Sequence, residues 1–258
     1  MIHKFNKWLI NETLGVSSEV EKFVHEIESF FKVDYSSNNF TKKTYNLNKF
    51  KSMGLNYNVI FGIDFLNINY TDGDYVATVK RIGNILNVNI NPINLNIDEL
   101  QEALNHEINH IYNDMKGLKT KSEYLTSVQV LDVIDQKKNP STYDLVNSIY
   151  ISQPTEIYAT VSEMYYAIQR NKITTKLQFN QYLVSNVIWK NADFLYKVDM
   201  KNLWNNIISE GTDQHLIQIF YINNLNNWLK NKEIQFHKAG KEYKLRISRL
   251  ASLLNITK

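Results

Sequence analysis

A chain of 258 residues with 43% apolar content can bury a sizeable core, as one large domain or as two small ones. A net charge of +3 and a pI near 8.7, with no dense Lys/Arg stripe, exclude a nucleic-acid footprint. Zero cysteines exclude disulfides and thiolate ligands, so any metal site must draw on His, Asp or Glu; the same absence fits a reducing, cytoplasmic compartment.

No stretch has the long uncharged apolar run of a membrane span, and Met1 to Trp8 lacks the apolar core of a secretory leader. The 34 asparagines, with much Lys, Ile and Tyr, match the residue usage of an AT-rich bacterial or phage genome.

In chain order, Ser18-Glu19-Val20-Glu21 reads as a capping box, and Val20, Phe23, Val24, Ile27, Phe30 and Phe31 repeat at helical spacing, which predicts a helix over 18–31. From Tyr57 to Asn91 the period drops to two. Val59, Phe61, Ile63 and Phe65 alternate, then Leu66, Ile68 and Tyr70. Thr71-Asp72-Gly73-Asp74 reads as a hairpin turn into a strand over 75–82, Gly83-Asn84 as a second turn, and 85–90 as a third strand stopped by Pro92. The expectation is a three-stranded antiparallel sheet.

The next helix carries the chemistry. Asn96 or Asp98 can cap it, Leu100, Ala103, Leu104, Ile108, Ile111, Tyr112 and Met115 form its apolar stripe, and Gly117 stops it. Within it, His106-Glu107-Ile108-Asn109-His110 is H-E-x-x-H. Residues four apart stand one turn above each other, so both imidazoles can aim at one tetrahedral Zn²⁺. Glu107 can reach a water there without being a ligand. His25-Glu26 begins the same motif, but Ser29 stands where the second histidine belongs, so His25 is read as an ordinary helix residue.

A twisted sheet followed by an H-E-x-x-H helix resembles the zincin metallopeptidases. That resemblance, over Tyr57 to Arg170, implies an α+β fold: an antiparallel sheet packed on the active-site helix, then a mainly helical C-terminal part. It also implies Zn²⁺, a peptide or protein substrate, and a strand such as 85–91 or its neighbour lining the cleft by β-addition. Two domains are expected, 1–117 with the sheet and the motif, and 118–258 supplying the third ligand.

A catalytic zinc takes three protein ligands, and the third can be His, Asp or Glu. The metzincin extension is absent, because Asn113 and Lys116 replace its glycine and final histidine. Helices are expected over 122–137, from Ser141 to Ile151, and from a Ser152 cap with Pro154 in the first turn to Arg170. Glu156 lies 156 − 110 = 46 residues beyond the motif, in the first turn of that last helix, and Ala159 completes E-x-x-A. Gluzincins carry a similar segment, and the resemblance makes Glu156 the chosen ligand and Glu163 the reserve. Asp114 is a candidate to hold a ligand imidazole by its remote N–H, or a solvated surface acid. Tyr158, Tyr150 and His215 are the candidates for oxyanion support.

Beyond Arg170, amphipathic helices over 174–229 are expected to break near Asn191 and at Gly211. Glu233 to His237 reads as a short strand, and Ala239-Gly240 as a turn into a basic amphipathic tail. The functional expectation is a zinc peptidase. Its rivals are a zincin-fold structural or virion-associated protein without activity, and a partner-binding module in which the motif is incidental.

Overall fold

The structure is a computed structural model that describes residues 18–36, 40–47, 57–71, 76–93, 97–117, 122–254 and 256. The N-terminal residues 1–17, residues 72–74 of the expected turn, Asn96, and the side chains of Ser18 and Asp98 lie outside the described residues. The fold is α+β, a mixed sheet packed on the H-E-x-x-H helix and followed by a mainly helical C-terminal part. The chain divides into two compact units, Met1–Leu118 with Tyr158–Lys172, and Lys119–Ile157 with Ile173–Lys258.

In the first unit, helix α1 (Ser18–Ser36) and strand β1 (Lys43–Asn46) precede a short helix α2 (Tyr57–Phe61). Strands β2 (Phe65–Tyr70), β3 (Ala77–Ile82) and β4 (Ile85–Ile90) and helix α3 (Ile97–Met115) follow. The residues read as alternating from Val59 start as helix. Tyr57 and Phe61, one turn apart, are both buried with rings 5.0 and 4.8 Å from that of Phe23, while Val59 is 73% exposed.

The sheet has the order β1-β2-β4-β3, so it is mixed, not wholly antiparallel. β4 inserts between β2 and β3, pairing parallel with the first and antiparallel with the second. A hairpin from β2 directly into β3 is therefore not formed. The reason is visible in the register, which sets Leu66 beside Leu86, Ile68 beside Val88, Asn67 beside Asn87 and Asn69 beside Asn89. Like faces like. One face is a buried apolar row closed by Leu100, Leu104 and Ile108 of α3 and by Phe23 and Ile27 of α1. The other is an amide ladder: Thr44 donates to Asn67 (2.7 Å), Asn67 to Asn87 (2.9 Å), Asn69 to Asn89 (3.0 Å) and Asn89 to Thr78 (3.2 Å).

Of the strands expected to line the cleft, 85–91 or its neighbour, β4 at 85–90 is interior and its neighbour β3 is one of the two edges, β1 being the other; β3 packs on α3. Asn91 N–H donates to the Val76 carbonyl (3.1 Å), so the ladder to β4 uses residues 76, 78, 80 and 82. Ala77, Val79 and Arg81 then turn their backbone N–H and C=O groups outward.

The second unit holds α4 (Ser122–Leu131), α5 (Pro140–Ile151), α7 (Lys176–Ser185), α8 (Val187–Lys197), α9 (Met200–Glu210), α10 (Asp213–Ile219) and α11 (Leu225–Leu253). Helix α6 (Pro154–Arg170) belongs to the first unit from Tyr158 onward. α4 stops at Leu131, short of 137, and the Asp135 carboxylate takes the N–H groups of Lys137 and Lys138 (3.0 and 3.4 Å) in a turn. Ser152 closes α5 as its C-cap instead of opening α6. The break expected near Asn191 falls at Asn186, whose side chain accepts from Ile188 and Trp189 N–H and starts α8.

The expected strand at 233–237 and turn at Gly240 are both interior to the single 29-residue helix α11. Gly240 is there for close approach: a Cβ on it would lie 2.5 Å from Tyr196 N and 2.8 Å from the Ala192 carbonyl of α8. Those atoms are backbone and cannot swing aside. Gly240→Ala is expected to lower the unfolding free energy by about 1–3 kcal/mol, the overpacking range, read from a shifted urea midpoint at constant m.

The amino end of α5 is capped from outside. Asn139 makes no capping bond, and the Glu210 carboxylate at the end of α9 accepts from Ser141 N–H (2.7 Å), Thr142 N–H (3.0 Å) and Thr142 Oγ1 (2.7 Å). Burial pushes the Glu210 carboxyl up, but the bonds from Thr142 and Ser141 together hold it below its ordinary 4.5. A carboxylate held low in the folded state stabilises it fully above that ordinary value and loses the effect as pH falls through the lowered one. Glu210→Ala is therefore expected to cost about 1–2 kcal/mol at pH 7. The gap to wild type should close below pH 4.5 in urea unfolding at several pH values.

Candidate metal centre

Helix α3 presents two faces because its residues obey two demands. Leu100, Leu104 and Ile108 are fully buried in the sheet-side core. Glu102, His106, Asn109 and His110 recur at three- and four-residue spacing on the other side and meet α6. The helix ends as expected, with Gly117 at φ +80° and its N–H on the Asp114 carbonyl (2.9 Å).

Contacts along this seam run in opposite directions. Glu102 meets Arg170 (2.5 Å), His106 Nδ1 meets Glu163 Oε2 (3.3 Å), Asn109 meets Ser162 (2.9 Å), and the two histidines meet Glu156. The partners on α6 fall in number as those on α3 rise, so the helices are antiparallel. Ala159, fully buried one turn beyond Glu156, offers only a methyl group at this packed surface.

His106, His110 and Glu156 form a candidate metal site: one donor atom from each lies within 4.8 Å of the others, Glu156 is 1% exposed, and both histidines are half-buried. The Nε2 atoms of His106 and His110 stand 3.1 Å apart. Two Zn–N bonds of about 2.0–2.1 Å at a tetrahedral angle set their nitrogens about 3.3 Å apart, so the pair is close to the spacing a single ion needs. Two imidazoles and one carboxylate are also a donor set that fits a divalent cation. Zinc is one member of that class.

The other expected residues are placed as follows. Glu107 is half-buried beside His106 on α3. Glu163 Oε2 lies 3.3 Å from His106 Nδ1. Asp114 is exposed near the end of α3. Tyr158 is half-buried two residues past Glu156, Tyr150 is half-buried on α5, and His215 is exposed on α10. The motif-like His25 on α1 pairs with Glu28 (3.1 Å).

Sequence reasoning missed the polar seam itself. Asn105, Asn109 and Asn113 are 1%, 0% and 6% exposed, and Ser162 is fully buried. Three asparagines at four-residue spacing on a helix were a visible stripe; general asparagine richness masked them.

No known protein family, no curated protein and no solved structure matches the chain. Among the described residues, no helix is long and apolar enough to cross a membrane.

Proposed function

We propose that this protein is a zinc-dependent metallopeptidase, with His106, His110 and Glu156 as metal ligands and Glu107 as general base. The observation that carries the reading is the convergence of an i, i+4 histidine pair with a buried glutamate from a second helix, donor atoms within 4.8 Å. A zinc ion in such a cage lowers the pKa of water toward neutrality and polarises a carbonyl.

The chain's own residues do the rest. Glu107 takes a proton from the attacking water and returns it to the leaving amine. Glu163, whose Oε2 lies 3.3 Å from His106 Nδ1, is the carboxylate placed to orient that ring, with His106 Nε2 toward His110. The outward N–H and C=O groups of Ala77, Val79 and Arg81 on edge strand β3, beside α3, support an extended peptide as substrate, bound by strand addition.

Elemental analysis of protein purified without a histidine tag, followed by a peptide-library digest, tests the reading. One zinc per chain with cleaved peptides is the expected result. Zinc without hydrolysis of any peptide favours the inactive zincin-fold reading, and metal-free protein ends both.

A further inference from the structure

We propose that the buried bond between Asn109 and Ser162 is a positioning strut that sets the rotation of α6 against α3, and with it the placing of Glu156 and Glu163 around the histidines. The proposal rests on the metal-site reading above. Asn109 lies between His106 and His110 in the motif and is fully buried. Its Nδ2 donates to the Asn105 carbonyl one turn back (2.7 Å) and to Ser162 Oγ across the seam (2.9 Å). The first bond needs the amide nitrogen, not the oxygen, at that end of the side chain, so Ser162 must be the acceptor. The amide is thereby fixed at both hydrogens.

Ser162, also fully buried, is the residue before Glu163 and lies 162 − 156 = 6 residues after Glu156. Each residue on a helix turns by about 100°, so a bond at 162 fixes the directions in which both glutamates leave α6. Ligand constellations tolerate errors of only about 0.5 Å, and supporting groups typically change metal affinity by about 10- to 100-fold. The partly exposed Arg170–Glu102 pair ties the far end of the same seam but does not pass between the histidines. Losing the strut leaves a buried N–H without its acceptor, which favours a shifted α6 over the native one.

The test uses the full chain carrying Ser162→Ala, Asn109→Ala, or both, with Ser148→Ala, a buried hydroxyl on α5, as control. Cobalt(II) binding is followed by its visible spectrum, and amide exchange over α3 and α6 is followed without metal. Each single variant should weaken cobalt binding about tenfold and alter its spectrum, the double variant no more than either, and exchange over α6 should quicken. The control should leave affinity and spectrum unchanged. Wild-type affinity, spectrum and exchange in Ser162→Ala would overturn the strut, whether or not Asn109→Ala folds. If the wild-type chain takes up no cobalt, the metal reading fails by itself. Exchange then decides the strut alone: faster exchange in Ser162→Ala keeps it, and unchanged exchange overturns it.

Discussion

Glu107→Gln is expected to lower kcat for peptide hydrolysis by about 10²- to 10⁴-fold, the range supplied by a positioned proton-transfer group. Metal content should stay at one ion per chain, because Glu107 is not among the converging donors. The amide has nearly the shape of the carboxylate but cannot accept the proton of an attacking water at neutral pH. KM should change little, since an interaction made only in the transition state is lost. Single-turnover assays beside metal analysis check both halves. A variant as fast as wild type removes Glu107 from the mechanism, and a variant that loses its metal makes it a ligand instead.

Glu156→Gln carries the second large effect. As a ligand, Glu156 would bring the charge that balances a divalent ion, from a site 1% exposed to solvent. Zinc affinity is expected to fall by more than about 100-fold, beyond the range for a supporting residue. Ligand binding to the folded state alone stabilises it by about 2.7 kcal/mol at a hundredfold excess over Kd. For a chain of this size that is a rise in Tm of roughly 5–10 °C. The rise on adding zinc should be present in wild type and lost in Glu156→Gln, in melts run with zinc and with chelator. An unchanged rise would move the third ligand elsewhere, with Glu163, 3.3 Å from His106 Nδ1, the reserve carboxylate.

The part of the site set by local geometry was legible in the sequence. His106 and His110 face one way because any helix puts i and i+4 together. Glu156 rested on the resemblance of its E-x-x-A segment to gluzincins, and the helix from Pro154 carries that acid in its first turn. What depended on contacts between distant segments was not. β2 and β4 read Leu66-Asn67-Ile68-Asn69 and Leu86-Asn87-Val88-Asn89, the same pattern twice. That repeat fits parallel in-register pairing, with matched amides across the ladder, yet the turn-forming residues between strands suggested consecutive hairpins. Gly240 misled for a related reason. Alone in a sequence a glycine reads as a turn, and only the approach of α8 shows that it is a packing residue. Glu163 against His106, and Glu210 against Ser141, likewise join residues 57 and 69 positions apart (163 − 106 and 210 − 141), beyond what any local period records.

The course of the chain between α3 and α6 has a thermodynamic consequence. His110 and Glu156 stand 156 − 110 = 46 residues apart in the chain, so an ion held by both would close a loop of that length. By the chain-entropy estimate for cross-links, an ion that stayed bound to both in the unfolded chain would remove about 4 kcal/mol of its freedom. In a protein without cysteines, such an ion would do the stapling that a disulfide does elsewhere.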